Sequence, residues 1–134
     1  MFGFVDKKQN VIFIPTVKTA DAARYVAFPS KARVTAVKVV ADATLAAHDT
    51  NYCTLTVKDV GADGTGTSTI CTITNKSTGG AGAWTAKYPV SGTIVTAADA
   101  DIVAAGNVVE IAAAETGTLG ADPNVAVTIE YVCE

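Results

Sequence analysis

The 134-residue sequence contains a single histidine, and it stands beside an acid as His48-Asp49. Such a pair could form an oriented general base, but catalysis also needs a nucleophile or a second titratable group within reach. The pair lies in a predicted loop, where a lone histidine is most often a surface or turn residue. Zinc would have to recruit cysteines that we expect to be buried in strands. We therefore predict no catalytic residues, no enzyme activity, no cofactor and no metal site.

Two pairs of acidic residues have spacings that occur in cation sites. Asp59 and Asp63 flank the Gly-rich turn Gly61–Gly66, and Asp99 and Asp101 are two residues apart. Calcium loops use such oxygen-rich turns, but this turn lacks the closing glutamate of an EF-hand loop. Aspartate also caps its own backbone in turns, and we favour that interpretation here. The turn precedes no helical pattern and carries no Gly-Lys-Ser/Thr ending, which argues against phosphate binding.

The three cysteines match neither a zinc site nor a redox pair by their spacing. Cys53 and Cys71 each fall within a predicted strand, so we expect them to be small buried side chains rather than a disulfide. Cys133 is predicted to be a free thiol. This cysteine usage indicates synthesis in a reducing cytoplasm.

The only tryptophan, Trp84, is the candidate ligand-stacking residue of the chain. Together with tyrosines such as Tyr25, Tyr52 and Tyr88 it could form a platform for a sugar ring. The alternative is a tryptophan that fills the core or one end of the domain, because large aromatic side chains contribute most through burial. We favour this second interpretation.

Composition indicates the fold class more clearly than any motif. Valine, threonine and alanine supply 61 of the 134 residues, while leucine occurs three times. Valine and threonine are β-branched and fit pleated strands, and the scarcity of leucine argues against a helical bundle. The net charge of −3, with scattered basic residues, argues against nucleic-acid binding. The apolar runs are too short to span a membrane as a helix.

Short alternating segments separated by turns predict an antiparallel β-sandwich. We favour a jelly roll over a Greek-key immunoglobulin-like sandwich, because the Cys–Trp–Cys arrangement of immunoglobulin domains is missing. Residues Ala97–Ala105 are expected to add a single helical turn. The predicted strands are Arg24–Phe28, Arg33–Asp42, Tyr52–Val60, Thr67–Thr74, Tyr88–Val95, Asn107–Glu115 and Asn124–Val132.

Period-2 alternation also assigns the faces of these strands. On the strand Arg33–Asp42 it places Thr35 on the same face as Val37, Val39 and Ala41. The predicted core consists of Val37, Val39, Leu55, Val57, Val109, Ile111, Val127 and Ile129.

Residues 1–20 are predicted to form an N-terminal arm, and residues 21–134 the sandwich domain. Five large apolar residues mark the arm: Phe2, Phe4, Val5, Ile12 and Phe13. Free termini are usually polar, so these side chains need a partner. One alternative is a first strand pair that packs on the domain's own core. The other is an arm that contacts the major capsid protein of a virus particle or a sister subunit.

Three segments resemble small virion proteins of tailed bacteriophages. They are the strand Arg33–Asp42, the loop Leu45-Ala46-Ala47-His48-Asp49-Thr50-Asn51-Tyr52 and the alternating strand Thr54–Lys58. The later loop Thr78-Gly79-Gly80 and the strand Val127–Tyr131 are similar as well.

The resemblance implies a β-sandwich structural protein of the phage particle, such as a head decoration (cement) protein or the base of a head fibre. It brings no catalytic residues. A cement protein would be made in the host cytoplasm and would bind the major capsid protein at the capsid surface, typically as a homotrimer. The alternative function is a receptor- or carbohydrate-binding module of a phage tail or fibre, using Trp84.

Overall fold

The computed structural model describes residues 7–18 and 22–134. Within these ranges the chain forms ten β-strands and one 3₁₀ turn, Ala97–Asp99. The strands are β1 (Lys7–Ile14), β2 (Ala22–Ala27), β3 (Ala32–Ala41), β4 (Tyr52–Gly61), β5 (Ser68–Thr74), β6 (Pro89–Ser91), β7 (Thr93–Ile94), β8 (Ile102–Val103), β9 (Val108–Thr116) and β10 (Val125–Cys133).

The strands form two antiparallel sheets that pack face to face as a β-sandwich, as the sequence predicts. Sheet A has the order β1-β10-β3-β6, with β8 beside the other end of β3. Sheet B has the order β2-β9-β4-β5-β7. Strands that follow each other in the chain, such as β1 and β2, β3 and β4, or β9 and β10, lie in different sheets. This alternation favours the jelly roll, and the choice between the two sandwich topologies stays a prediction.

The core lies between the sheets and is built from alternate residues of each long strand. β4 shows this most clearly, since Cys53, Leu55 and Val57 are fully buried while the threonines between them are partly exposed. The alternation follows from the pleat, which points successive side chains to opposite faces. All eight predicted core residues are fully buried, so that prediction is confirmed.

A β-bulge in β3 changes the face of one predicted core-side residue. Ala36 pairs with Glu130, but Val34 pairs with the next residue, Tyr131, so Thr35 is the extra residue of the bulge. Val34 therefore faces the core and Thr35 is exposed. The prediction that Thr35 shares a face with Val37 is wrong, because strict alternation does not continue through a bulge.

The predicted single strand Tyr88–Val95 is also wrong, because Gly92 divides it into β6 of sheet A and β7 of sheet B. The backbone N–H of Gly92 donates to the carbonyl of Val37 at 3.0 Å. A Cβ atom at this position would collide with Sγ of Cys71. Glycine therefore lets the chain pass close to the core as it crosses between the sheets.

The segment Ala97–Ala105 contains the single helical turn that the sequence predicts. A 3₁₀ turn covers Ala97–Asp99, and Ala98 and Asp99 adopt positive φ angles of 52° and 57°. Residues 102 and 103 then form β8, which pairs with the start of β3.

Residues 7–18 are the described part of the predicted arm, and β1 occupies most of them. β1 pairs with β10 along its whole length, from Lys7 opposite Val132 to Ile14 opposite Val125. Ile14 and the following Val17 are fully buried in the core. Phe2, Phe4 and Val5 lie outside the described residues, and the role of the arm as a contact stays a proposal.

Candidate interaction surface

His48 and Asp49 are engaged by separate backbone groups of their loop. Nδ1 of His48 accepts hydrogen bonds from the backbone N–H groups of Thr50 at 3.1 Å and Asn51 at 3.0 Å. Asp49 accepts from the backbone N–H of Thr78 at 2.7 Å and from its hydroxyl at 3.0 Å. The backbone hydrogen bond from Thr78 is the main reason that the pKa of Asp49 is lowered. Both side chains therefore hold loops in place.

The candidate acidic residues also have structural partners. Oδ1 of Asp59 accepts from the backbone N–H of Gly61 at 2.8 Å, and Oδ1 of Asp63 accepts from that of Thr65 at 3.0 Å. These hydrogen bonds confirm the interpretation of both residues as turn-forming aspartates. The part of the chain that the structure describes contains no group of three or more histidine, cysteine or acidic residues able to hold a metal ion.

The cysteines are free, as predicted, with Cys53 and Cys71 buried and Cys133 exposed. Burial raises the pKa of Cys53 to about 12 and that of Cys71 to about 11, because an apolar interior disfavours the thiolate. Thiolates are the reactive species, so both buried thiols are unreactive at neutral pH.

Trp84 is fully buried and belongs to the core cluster. Its backbone forms an isolated antiparallel bridge with Leu45, with both N–H···O distances at 2.9 Å. The indole Nε1 is buried and has no hydrogen-bond partner among the residues that the structure describes. The ring therefore has no face open to a sugar, and the structure agrees with the core-filling alternative.

Asn75 is a structural residue that the sequence analysis missed. It is fully buried, its Oδ1 accepts from the backbone N–H of Cys53 at 2.7 Å, and its Nδ2 donates to the carbonyl of Ala46 at 2.7 Å. The backbone N–H of His48 donates to the carbonyl of Asn75 at 3.3 Å. Asn75 thus fastens the loop between β3 and β4 to the sandwich. A polar residue at the end of a predicted strand was its only sequence signal.

The outer face of sheet A carries a row of apolar side chains, one from each of the strands β1, β10, β3 and β6. Phe13 of β1 pairs with Ala126 of β10, Ala126 pairs with Val40 of β3, and Val40 pairs with Pro89 of β6. Phe13 is 71% exposed, and the other three are exposed or half-buried. We call Phe13, Ala126, Val40 and Pro89 the apolar row.

An open groove of about 490 Å³ lies at this end of sheet A. Three members of the apolar row, Phe13, Val40 and Ala126, line it together with Pro15, and its exposed lining is almost entirely apolar. Lys87 lies on its rim and adopts a positive φ of 66°. Its polar lining residues are Asp42, Asn124 and Lys87, and the Asp42 carboxylate accepts hydrogen bonds from the backbone N–H and from Nδ2 of Asn124.

Of the five predicted arm residues, Ile12 and Phe13 are described, and they face opposite sides of β1. Ile12 is half-buried and packs against the core, whereas Phe13 faces outward into the groove. The sequence could not show the apolar row, because its members come from four strands far apart in the chain. The adjacent apolar pairs Val39-Val40 and Val125-Ala126 were the available signal, since one member of each pair must face outward.

The described residues include no helix long and apolar enough to cross a membrane.

Comparison with known proteins gave structural neighbours only. No protein-family model matches the chain, and no curated protein matches it. A chain of the structure "Cyanophage Pam1 capsid asymmetric unit" is similar, with 25% identity and a TM-score of 0.47, over 100% of this chain and 90% of that chain.

Two chains from infectious bursal disease virus are also similar. One, from the structure of the Gx strain, has 11% identity and a TM-score of 0.43 over 96% of this chain. The other, from the crystal structure of the VP2 subviral particle, has 12% identity and a TM-score of 0.38 over 95% of this chain. This chain spans 33% of the length of each. All three neighbours are from virus structures.

Proposed function

We propose that this chain is a structural virion protein, a capsid decoration (cement) protein that binds and stabilises the outside of a tailed-phage head. The observation that carries the proposal is the apolar row, in which Phe13 is 71% exposed. Contiguous exposed apolar surface of this kind marks an interaction site for another protein. A particle surface assembled from many subunits supplies such a partner.

The resemblance to phage virion proteins supports the same proposal through the loop Leu45–Tyr52. The polar side chains of this loop make structural hydrogen bonds. Asp49 holds Thr78, and Oδ1 of Asn51 accepts from the backbone N–H of Thr118 at 3.0 Å. A motif whose side chains brace loops suits a scaffold protein.

The proposal includes a jelly-roll topology and a closed homo-oligomer, for which we propose a trimer. β1 forms one edge of sheet A and β2 one edge of sheet B, and these two strands carry the exposed aromatic rings of Phe13 and Tyr25. Closed oligomers cover such edges and patches, which would otherwise promote aggregation.

The alternative function, a receptor- or carbohydrate-binding module, relied on Trp84 as the ligand-stacking residue. Trp84 is buried, so a sugar platform would have to use exposed tyrosines such as Tyr88, which is 68% exposed. The decoration function is therefore the better-supported one.

The test is to mix the purified chain with undecorated phage heads and to separate bound from free protein by sedimentation. We expect saturable binding at a fixed copy number and a higher temperature for release of packaged DNA. Already decorated heads are the control and should bind none. Absence of binding together with measurable glycan affinity would contradict the decoration function and favour the alternative.

A further inference from the structure

The loop between β3 and β4 closes on the ring of its histidine. Nδ1 of His48 accepts hydrogen bonds from the backbone N–H groups of Thr50 at 3.1 Å and Asn51 at 3.0 Å. The hydroxyl of Thr50 lies 3.2 Å from the same nitrogen. A ring nitrogen can accept a hydrogen bond only while it carries no proton. In the closed loop His48 is therefore a neutral imidazole with its hydrogen on Nε2.

Protonation of the ring removes this acceptor. In an imidazolium both nitrogens carry a hydrogen and can only donate. The backbone N–H groups of Thr50 and Asn51 would then face an N–H group of His48, and both hydrogen bonds would be lost. An open loop takes up the proton without this loss, so acid favours the open loop. Histidine side chains ordinarily titrate at about pH 6.5, which places the change in the mildly acidic range.

The surroundings of His48 offer no replacement for the lost hydrogen bonds. His48 lines a pocket of about 320 Å³, whose other described lining residues come from the β3–β4 and β9–β10 loops and are all uncharged. The loops at this end of the sandwich and the end of β9 carry charged residues that do not line the pocket: Asp42, Asp49, Lys76, Lys87, Glu115 and Asp122. The imidazolium would therefore gain no ion pair within the pocket.

Asn51 connects the state of His48 to the β9–β10 loop. Its backbone N–H donates to the histidine ring, and its side-chain Oδ1 accepts from the backbone N–H of Thr118 at 3.0 Å. A Cβ atom at Gly117 would collide with this Oδ1, so Asn51 fits closely against the loop. A shift of the Asn51 backbone would move the oxygen that holds Thr118. Protonation of one ring therefore affects two loops.

We propose that His48 is an acid-sensitive switch, which closes the β3–β4 loop as the neutral imidazole and opens it as the imidazolium. The opening involves residues 47–52 and the β9–β10 loop. It stops at Ala46, because Asn75, which does not titrate, donates to the carbonyl of Ala46 at 2.7 Å and accepts from the backbone N–H of Cys53 at 2.7 Å. The switch goes beyond the proposed function and does not depend on it, since His48 does not line the groove on sheet A.

The first experiment measures solvent exchange of the Thr50 and Asn51 amides by NMR at about pH 8 and about pH 5, the two sides of the range in which histidine titrates. After correction for the intrinsic pH dependence of exchange, protection should fall by about tenfold in acid, because two hydrogen bonds are lost. The fluorescence of Trp84, the only tryptophan and a fully buried one, should not change. Constant emission shows that the core stays closed.

Three variants separate the ring from the rest of the loop. His48→Asn supplies an acceptor that does not titrate, since asparagine accepts from the backbone N–H two residues on in Asx turns, and its amides should be protected at both pH values. His48→Ala should leave them unprotected at both. Asp49→Asn is the matched control, because it weakens the contact with Thr78 but keeps the imidazole. Its amides should retain the tenfold difference between the two pH values.

The ring nitrogens give a direct second measurement. His48 is the only histidine, so its ¹⁵N signals are unambiguous. At about pH 8 they should show a hydrogen on Nε2 and none on Nδ1. A hydrogen on Nδ1 would overturn the proposal, as would equal amide protection of the unaltered chain at the two pH values. A pH dependence that persists in His48→Ala, or a shift of the Trp84 emission in acid, would assign the change to another group or to the core.

Discussion

Nη1 of Arg33 lies 2.8 Å from Oδ2 of Asp101, a carboxylate whose side chain is only 4% exposed. Arg33 also contacts Glu134, with Nε 2.9 Å from Oε1. The hydrogen bond to Asp101 is the main cause that raises the pKa of Arg33. One guanidinium thus joins β3, the segment before β8 and the residue after β10.

Arg33→Met should destabilise the fold more than the loss of an exposed ion pair does, because it leaves the buried Asp101 carboxylate without its charged partner. Urea unfolding followed by circular dichroism measures this loss. Lys38→Met is the matched control, since it removes an exposed pair with Glu130 at 3.4 Å from the same strand. Exposed pairs contribute below about 1 kcal/mol. Equal losses for both variants would contradict the structural role of Asp101.

Leu55→Ala should cost about 2–5 kcal/mol, because the side chain is fully buried between the sheets and its removal leaves a cavity. Thr56→Ala, at the next position on the outward face of β4, should cost below about 1 kcal/mol. Chemical unfolding of the two variants gives both values. A loss below about half a kcal/mol for Leu55→Ala would show that the faces of β4 are wrongly assigned.

Gly92→Ala should lower stability by about 1–3 kcal/mol, because its methyl group would collide with Sγ of Cys71 and the side chain of Ile73. Gly120→Ala is the matched control, since a Cβ atom there meets nothing within 4 Å. Differential scanning calorimetry should show a lower melting temperature for Gly92→Ala alone. An unchanged melting temperature would show that the crossing between β6 and β7 can accommodate the added methyl group.

Acid should weaken the fold through Asp122. Its partial burial raises the pKa, but hydrogen bonds from the hydroxyl of Thr16 and the backbone N–H groups of Val17 and Lys18 outweigh this, and the pKa is lowered below the ordinary value of 3.8. The folded state therefore binds this proton more weakly than the unfolded state. The resulting stability is present above the ordinary pKa and is lost as pH falls through the lowered value.

Asp122→Asn should therefore reduce the loss of stability between pH 5 and the acid range, down to about pH 2, while lowering stability at pH 7. Urea unfolding at a series of pH values measures both effects. Asp99→Asn, which changes an exposed carboxylate after β7, controls for the loss of one negative charge. An identical pH dependence for Asp122→Asn and the unaltered chain would contradict the assignment.

His48→Ala and Asp49→Asn should leave head binding unchanged, because both side chains hold loops and neither faces the groove on sheet A. Each change should lower the melting temperature, since backbone N–H groups lose an acceptor. The sedimentation assay with undecorated heads checks the first expectation. A hydrolytic activity that either variant abolishes would contradict the prediction that the chain is not an enzyme.

Local sequence patterns predicted the sandwich and its core because alternation is a property of each strand alone. Leu55 and Ile129 could be assigned to the core from their immediate neighbours. Thr35 could not, since the bulge depends on how β3 pairs with β10, which lies some ninety residues later. The same limit applies to the candidate surface. Phe13 was predicted as a contact residue of the N-terminal arm, whereas its alignment with Val40 depends on the register of three strands.

The pairing of β1 with β10 has a consequence for synthesis of the chain. Lys7 pairs with Val132, so the first described strand finds its neighbour only after more than a hundred further residues have been translated. At roughly 5–20 residues per second, the nascent chain keeps β1 without its sheet neighbour for several seconds. Sheet A must therefore close after most of the polypeptide has left the ribosome. Slow, non-local closure of this kind makes expression yield sensitive to temperature and to chaperone supply.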